Sequence, residues 1–533
     1  MAGEMQGSTG GSMLEQGGRH HGRSLLPAPE DVAGLRERSR DLVAIDLDTD
    51  QLALLELLLS GALRPLSGYL DERDSRSVRA HARLASGALW PISANLHVPA
   101  ALLSSLEVGS QVSLRHPEGM VLAILTVADV VSCDCADASP SVHVGGRLDG
   151  LELPPRPSLD WPSIRQPRVE EASGSRPLLG YQTRRTLHRA DIEFLADEME
   201  RLNADLLLQV LVSHDQQAWN DDVRRAKCCR LALDHLPPGR ATMTMVPDLR
   251  IADPALDAVA AGIILRNSGC THAVVDSPAL QASNPRESMR EIGIEPVDDA
   301  RGRRAGEPIG DGELREFLVS DREIPAEFTY PEVLAELKRW FRPRRDQGFT
   351  VFFTGLSGAG KSTIASVLMA RLLSVDERPV TLLDGDIVRA LLSSGLGFSR
   401  ADRDLNIARI AYVAAEVTRN GGIAICAPIA PYRRARDDAR RSIRRYGGFV
   451  EVHVSTSLEV AEQRDRKGLY AKARRGQLKG LTGIDDPYEA PEHPEIVIDG
   501  AQGSPEEAAA RIIRDLESRG YLELHGRTQP GTG

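Results

Sequence analysis

The sequence has few cysteines and few aromatic residues for its length, and it has no long hydrophobic run. Its six cysteines form no CxxC pair and no histidine stands at zinc-finger spacing, so neither a disulfide framework nor a structural zinc site is expected. The leucine-rich run Leu52 to Leu59 is interrupted by Glu56 and is far shorter than the roughly 20 residues of a membrane helix. The N-terminal stretch lacks the apolar core of a signal peptide. We therefore expect a flexible tail over residues 1–27 and a cytoplasmic protein that does not bind membranes.

The length and composition indicate a multidomain globular protein. The chain has 533 residues, of which 41% are hydrophobic and 26% charged. At about 150 residues per domain, this length corresponds to roughly three to four domains, each large enough to bury a core. The net charge of -11 argues against a dedicated nucleic-acid-binding protein, but it leaves room for local basic clefts that bind phosphates.

Changes in residue pattern divide the chain into regions. Residues 28–168 contain short alternating stretches typical of a β-rich domain, and residues 133–178, rich in Asp, Ser and Pro, are expected to be loops and a linker. Residues 169–340 alternate apolar strand-like and amphipathic helix-like runs, which predicts an α/β domain. After a charged boundary at Trp340 to Gly348, residues 346–525 predict a second α/β domain, followed by a tail over 526–533. Its strand candidates are Phe349 to Thr354, Val380 to Leu383, Ile423 to Ala427, Phe449 to Val454 and Glu495 to Ile498.

The strongest motif is a phosphate-binding loop. Residues 355–363 read GLSGAGKST, between an apolar strand candidate and a helical run, as G-x-x-x-x-G-K-[ST] requires. Glycines allow the backbone to wrap phosphates and to present N–H groups to negative charge. Lys361 is expected to reach the terminal phosphates of a nucleotide, and the Ser362 hydroxyl to help hold Mg²⁺. The alternative is a chance glycine-rich turn.

Three neighbouring segments suggest the chemistry. A strand candidate runs into Asp384, Asp386 and Arg389, so that one acid can orient a hydroxyl or a metal while the arginine holds an anion; helix capping is the alternative. Arg403 and Asn406 begin a helix after Phe398, which could stack on a base; a solvated first turn is the alternative. Residues 463–476 contain six Lys or Arg and could form a lid over polyphosphate or only a soluble helix.

Six motifs of this half, in order, closely resemble those of adenylyl-sulfate (APS) kinase: GLSGAGKST, LDGDIVR, GFSRADRDLNIAR, APIAPYR, RDRKGLYAKARRG and LTGIDDPYEAPEHPEIVID. The resemblance extends from about Gly348 to the C-terminus. It implies a P-loop kinase fold with a parallel sheet. It also implies that ATP, with Mg²⁺, phosphorylates the 3′-hydroxyl of adenylyl sulfate to give 3′-phosphoadenylyl sulfate in sulfate assimilation.

The same resemblance implies roles for individual residues. Catalysis is assigned to Lys361, Asp384 and Asp386, with Ser362 and Asp384 as ligands of Mg²⁺. ATP binding is assigned to Gly355, Ser357, Gly358, Ala359, Gly360, Lys361, Ser362, Thr363 and Arg464. Binding of adenylyl sulfate is assigned to Arg389, Phe398, Arg403, Asn406, Lys467, Leu469 and Leu481.

Two positions depart from the kinase pattern. Ala430 stands where the family often has Ser, so phosphoserine chemistry is excluded at this position. Leu481 stands where the family often has Phe, which weakens an aromatic contact with the substrate base but keeps an apolar one.

The front half resembles ATP sulfurylase (sulfate adenylyltransferase) over roughly residues 28–340. The resemblance rests on LSGALRPLSGYLDERDSRSVRAHARLASGALWPISANLHVP, with weaker matches at GYQTRRTLHRADIEFL, VPDLRIADP, ILRNSGCTHAVVDSP and IPAEFTYPEVLAELKR. It implies a PUA-like β-rich domain followed by an α/β nucleotidyltransferase-like domain. The expected fold class is thus multidomain α/β, with the P-loop kinase at the C-terminus.

The sulfurylase motif is altered where chemistry would occur. The family reads Gln-x-Arg-Asn-Pro-x-His-x-x-His; here Gln182, Arg184 and His188 are kept, whereas Asn-Pro is Arg185-Thr186 and the second His is Asp191. The family's Gly-Arg-Asp-His-Ala-Gly is VDSPAL over residues 275–280, without its Arg and His. A carboxylate facing a polyphosphate is repulsive. We therefore expect a degenerate sulfurylase site, in which the three kept residues could still bind an anion and His188 is otherwise a capping or surface residue.

Taken together, the sequence favours an adenylyl-sulfate kinase with a degenerate sulfurylase-like region. One alternative is a bifunctional sulfate adenylyltransferase and adenylyl-sulfate kinase. A second is a non-catalytic nucleotide-binding regulator, which the presence of Lys361, Ser362, Asp384 and Asp386 disfavours. The expected ligands are ATP, Mg²⁺ and adenylyl sulfate, and the expected partner is another copy of the same chain.

Overall fold

The computed structural model describes residues 24–133, 141–155, 176–214, 216–276, 285–299, 311–465 and 467–523. Most of the expected N-terminal tail, much of the expected linker and the whole C-terminal tail lie outside the described residues. The chain forms two compact units. The N-terminal unit is Met1–Asp311 with Pro325–Leu337, and the C-terminal unit is Gly312–Ile324 with Lys338–Gly533.

The first part of the N-terminal unit is a β-rich fold. Its sheet has the order β1-β4-β5-β6-β2 with β3 also paired to β6, and all pairs except β1 with β4 are antiparallel. The strands are β1 (Val43–Asp46), β2 (Gly68–Tyr69), β3 (Leu96–Pro99), β4 (Gln111–Arg115), β5 (Val121–Cys133) and β6 (Ser141–Gly150). The helices are α1 (Val32–Ser39), α2 (Thr49–Leu59) and α3 (Glu72–His81), with a 3₁₀ turn at Ala100–Ser105.

Strand β6 corrects the sequence-based expectation of loops and linker over residues 133–178. It pairs with three other strands of the sheet and buries Val142, Val144 and Leu148 on alternating positions. Residues 142–146 are all buried, and burial alternates only in the last part of the strand. In the sequence, Asp, Ser and Pro on both sides of the strand dominate the local composition.

The second part of the N-terminal unit is an α/β fold with a parallel sheet of order β11-β10-β7-β8-β9. The strands are β7 (Leu178–Thr183), β8 (Asp205–Val212), β9 (Ala241–Pro247), β10 (His272–Asp276) and β11 (Glu295–Asp299). The helices are α4 (Arg189–Arg201), α5 (Gln216–Leu233), α6 (Pro254–Asn267) and α7 (Pro285–Glu291). One continuous hydrophobic core joins residues of this fold to residues of the β-rich fold.

The C-terminal unit contains a parallel five-stranded sheet of order β13-β14-β12-β15-β16. The strands are β12 (Phe349–Thr354), β13 (Val380–Asp384), β14 (Ile423–Ala427), β15 (Gly448–Ser455) and β16 (Ile496–Asp499). All five lie where the sequence predicts strands, with ends within one residue. Apolar clusters on two sides of the sheet join it to its helices, as in a doubly wound fold.

The helices that follow α7 belong to the boundary and to the C-terminal unit. They are α8 (Asp311–Val319), α9 (Pro331–Trp340), α10 (Lys361–Val375), α11 (Gly385–Leu391), α12 (Arg400–Arg419), α13 (Arg433–Arg444), α14 (Leu458–Arg464), α15 (Leu469–Arg474) and α16 (Pro505–Ser518), with a 3₁₀ turn at Arg344–Asp346. Among the described helices, none is long and apolar enough to cross a bilayer. The expected multidomain α/β class is confirmed.

Candidate functional site

The glycine-rich loop joins β12 to α10 in the conformation that its sequence requires. Gly355, Gly358 and Gly360 have φ of +147°, +75° and +107°, which side-chain-bearing residues rarely adopt. A Cβ at Gly355 would lie 2.5 Å from the carbonyl oxygen of Val454. The loop therefore combines tight glycine turns with a helix N-terminus, the arrangement that binds phosphate groups.

Lys361, the first residue of α10, lies inside this loop. Its side chain is buried, and Nζ donates to the carbonyl oxygens of Gly355 and Leu356 at 2.8 Å each. Burial, reinforced by the positive charge of Lys467, lowers the pKa of the Lys361 ammonium to about 7. A bound polyphosphate would supply the negative charge that this buried cation lacks.

Two carboxylates stand at the end of β13, next to the phosphate loop. The Ser362 hydroxyl donates to Asp384 Oδ2 at 2.7 Å, and the other Asp384 oxygen caps α11 by accepting from the backbone N–H of Asp386. The Asp386 carboxylate is exposed and pairs with the Lys467 ammonium. Helix capping by Asp386, the alternative that the sequence left open, is wrong, because the capping carboxylate is that of Asp384. Asp386 keeps a free side toward solvent.

Arg389 and Phe398 form one contact across the pocket entrance. The Arg389 guanidinium lies over the Phe398 ring at 4.4 Å from its centroid and donates to the Gly397 carbonyl at 2.9 Å. Burial, followed by the nearby Arg403 charge, lowers the pKa of Arg389. Phe398 remains 60% exposed, so its outer face is free to stack on a planar group.

Arg403 holds the loop after α15 against the start of α12. Its guanidinium donates to Phe398 O at 3.0 Å and to Asp486 Oδ2 at 2.9 Å, and it also contacts Thr482 Oγ1 and Gly480 O. Arg403 therefore organises the pocket wall in addition to presenting positive charge to it.

One helical turn after Arg403, the side chain of Asn406 is buried in the same pocket wall. Its amide oxygen has no hydrogen-bond partner among the described residues. An unsatisfied amide oxygen in a pocket is available to a ligand donor such as a ribose hydroxyl.

The basic segment after β15 folds over the phosphate loop. Arg464 ends α14 and donates to the Gly500 carbonyl at 2.7 Å. Leu469 and Leu481 pack with the buried Tyr470, whose hydroxyl donates to the Ser357 carbonyl at 2.9 Å. Tyr470 was not selected from the sequence, although it lies inside the quoted KGLYAKAR motif.

These residues line one pocket of about 720 Å³. Every kinase residue selected from the sequence lines it except Gly355, which lies at the base of the loop. The structure adds wall residues that the sequence analysis did not assign to the site, among them Ala427 to Pro431, Tyr470, Thr482 and Gly500 to Pro505 except Ala501. Of these, Ala427 to Pro431, Tyr470 and Thr482 belong to the kinase motifs quoted above, so membership of those motifs could have identified them as site residues.

The altered motif of the N-terminal unit is closed on itself by ion pairs. Arg185 and Asp191, which replace an Asn and a His of the sulfurylase pattern, pair at 2.6 Å. Asp191 also accepts from the backbone N–H of His188 at the start of α4. The expected repulsion between a bare carboxylate and phosphate is thus reduced, because this carboxylate has a cation beside it.

The kept residues of that motif are also engaged. Arg184 pairs with Asp248 at 2.7 Å and with Asp257 at 2.8 Å, and both carboxylates raise its pKa. Gln182 donates to Gln209. His188 occupies the N-cap position and is buried, with Nδ1 3.0 Å from Thr329 Oγ1, so it is not a surface residue. Four residues of the other altered phrase, 277–280, lie outside the described residues.

Comparisons with known proteins match both halves. Family models match for a PUA-like domain at residues 17–145, ATP-sulfurylase at 165–278 and adenylylsulphate kinase at 347–499. The chain is 35% identical to the sulfate adenylyltransferase of Phaeosphaeria nodorum and 36% to that of Chaetomium globosum, in each case over 92% of this chain and 96% of the relative.

A solved structure extends the likeness to the fold of nearly the whole chain. The hexameric APS kinase from Thiobacillus denitrificans superposes with a TM-score of 0.78 at 35% identity, over 94% of this chain and 98% of that one. The resemblance seen in the sequence motifs is thereby confirmed. The chain belongs to the sulfate adenylyltransferase family, in its form with PUA-like, ATP-sulfurylase and adenylylsulphate kinase domains.

Proposed function

We propose that the C-terminal unit transfers the γ-phosphoryl group of ATP to the 3′-hydroxyl of adenylyl sulfate. The observation that supports this most directly is the single pocket, which has a phosphate loop on one side and fixed cations, an amide and an aromatic ring on the other. The first set suits a nucleoside triphosphate, and the second suits a small dianion with a base and a ribose.

In this reaction the bond from the 3′-oxygen to the γ-phosphorus forms while the bond to the bridging oxygen of ADP breaks. Asp386, the exposed carboxylate of the pair, accepts the hydroxyl proton. For this, Lys467 first has to leave Asp386. The freed Lys467 ammonium can then bind the phosphosulfate. Lys361 stabilises the charge on the transferred phosphoryl group.

The oxygen donors beside the phosphate loop fit Mg²⁺. Ser362 Oγ and Asp384 Oδ2 lie 2.7 Å apart at the start of α10. Among the described residues no cluster of three or more His, Cys, Asp or Glu could hold a metal. Mg²⁺ is commonly held by one or two protein oxygens together with nucleotide phosphates and water. Bound with ATP, the ion would neutralise phosphate charge.

The N-terminal unit is proposed to lack ordinary sulfurylase activity. Two carboxylates occupy Arg184, and Arg185 is paired with Asp191, so three of the charged groups of the altered motif are engaged with one another or with acids. The names of the relatives favour the second candidate, a bifunctional enzyme. A homo-oligomer is proposed because the similar solved protein is described as hexameric.

A paired assay on the purified full-length chain tests both functions. One arm supplies ATP, Mg²⁺ and adenylyl sulfate and detects 3′-phosphoadenylyl sulfate. The other supplies adenylyl sulfate and pyrophosphate and detects ATP, the reverse sulfurylase reaction. We expect product in the first arm only, and its loss in Lys361→Ala.

Two results would overturn parts of this proposal. ATP in the second arm that survives Lys361→Ala but is lost in His188→Ala would show a bifunctional enzyme. Nucleotide binding without product in the first arm would support the regulator instead.

A further inference from the structure

The loop after β14, residues 428–432, forms one wall of the pocket and has an unusual backbone. Ala430 has φ of +46°, in the left-handed region that residues with a side chain seldom adopt. It is also buried. Such a conformation persists only where the surrounding structure holds it, and it occurs often at ligand sites.

Arg436 on α13 holds this loop from behind. Its Nη1 donates to the Ala430 carbonyl at 2.7 Å, and its Nη2 donates to the Glu489 carbonyl at 2.7 Å. Thr354 Oγ1 adds a longer hydrogen bond of 3.2 Å to the same Ala430 oxygen. One planar guanidinium thus fastens the 428–432 loop to a second segment of the unit.

The Arg436 guanidinium is itself held by a buried carboxylate. Arg436 is 2% exposed, and its Nε lies 2.9 Å from Oε1 of Glu451, a buried carboxylate on β15. The other Glu451 oxygen accepts from Arg440 at 2.8 Å. Because a buried charge is costly without partners, both groups are held in one geometry. Among the described residues, Arg436 and Thr354 are the side chains that donate to the Ala430 carbonyl.

The topology places this wall on the acceptor side. Strand β14 lies between β13, which ends at Asp384, and β12, which leads into the phosphate loop. Arg464 and the Gly500 carbonyl follow β15 and β16, beyond β12 in the sheet, on the other side of the phosphate loop. The backbone N–H of Gly355 donates to the Ile429 carbonyl at 3.3 Å and ties the near end of the loop to the phosphate loop. A shift confined to Ala430 and the residues after it should affect the acceptor substrate more than ATP.

We propose that Arg436 is a positioning residue for adenylyl sulfate, acting through the Ala430 carbonyl rather than by touching substrate. This inference rests on the proposed kinase function. Arg436→Lys keeps a positive charge opposite Glu451 but lacks the planar fork that reaches two carbonyls. The variant is expected to raise the KM for adenylyl sulfate about tenfold and to leave the KM for ATP within about twofold.

The test measures both KM values and the thermal unfolding of full-length wild type, Arg436→Lys and Arg444→Met. Arg444 is a matched control, because it joins the same network at Glu495, at 3.1 Å, but does not contact the loop. If Arg436→Lys fails to fold, the double variant Arg436→Gln with Glu451→Gln removes both buried charges together and is measured instead.

An increase confined to the KM for adenylyl sulfate supports the positioning role. Equal increases in both KM values, or a lower kcat with both KM values unchanged, would show that Arg436 is only structural. If the wild-type protein forms no product, the proposed kinase function itself is wrong. This outcome differs from a failure of the Arg436 role, which appears only as a difference between active wild type and its variants.

Discussion

At the residue scale, the site contains polar groups that are unfavourably placed without a ligand. Lys361 is buried, and the hydrogen-bond partners of its ammonium among the described residues are two carbonyl oxygens. The amide oxygen of Asn406 has no hydrogen-bond partner among these residues. In the proposed complex, the substrates would supply phosphate oxygens to Lys361 and a hydrogen-bond donor to Asn406.

The lowered pKa of Lys361 predicts that ATP binding depends on pH. The pKa of Lys361 is about 7 in the ligand-free protein, and the negative charge of a bound phosphate will raise it. Above pH 7, the binding of ATP is therefore accompanied by protonation of Lys361. The affinity for ATP should therefore fall as pH rises from about 7 to about 9, by at most tenfold per pH unit. Calorimetry in buffers of different ionisation enthalpy measures the affinity and the proton uptake.

The pH dependence of folding stability has the opposite sign to that of ATP affinity. Above pH 7 the unfolded chain holds the Lys361 proton more tightly than the folded one, so the ligand-free protein gains stability as pH rises. Lys361→Met should flatten both dependences. An ATP affinity in wild type that stays constant over this range, without proton uptake, would contradict the assignment.

At the element scale, the start of α4 shows how two substitutions can compensate each other. Asp191 is the N3 residue of the helix, where its carboxylate accepts from the N-cap backbone, and Arg185 on the preceding loop neutralises it. An acid in the first turn is favoured by the helix dipole. The altered motif therefore forms a well-capped helix start.

A double-mutant cycle measures this compensation. Arg185→Met and Asp191→Ala are each expected to destabilise α4, and the double variant less than the sum, with a coupling of about 1 kcal/mol or more. Hydrogen exchange of peptides covering Arg189–Arg201 in the full-length chain reports the local free energy. Additivity within about 0.5 kcal/mol would mean that the pair contributes no specific stability.

At the scale of the whole molecule, each unit has its own hydrophobic core. The clusters of the C-terminal unit draw only on residues 349–522. The segment Gly312–Ile324 also belongs to this unit, where Asp321 pairs with Arg345. Both side chains of that pair are more than 40% exposed, so the pair is worth no more than about 1 kcal/mol.

Leu314 and Leu318 of the segment Gly312–Ile324 are buried, so the segment is kept in the fragment that tests this independence. A fragment of residues 312–533 should fold and keep kinase activity. We expect one cooperative unfolding transition by circular dichroism and a kcat within about twofold of the full-length value. The full-length chain under the same conditions is the control. A fragment without a cooperative transition would show that the N-terminal unit is needed to complete the core.

The sequence by itself determined the family, the phosphate loop and the five strands of the C-terminal unit, because these depend on motifs and on local periodicity. The sequence analysis missed strand β6, because its alternation of apolar and polar residues is short and is flanked by polar residues. The pocket residues were found through motifs, but their individual roles in binding and catalysis stay predictions.

Only the tertiary structure decided what surrounds the altered motif and the pocket wall. Arg184 meets carboxylates 64 and 73 positions away, and Arg403 meets Asp486 83 positions away. The left-handed backbone of Ala430 depends on an arginine of the next helix and on a threonine 76 positions earlier. Such contacts leave no periodic trace in a sequence, because folding brings together side chains whose spacing along the chain is arbitrary.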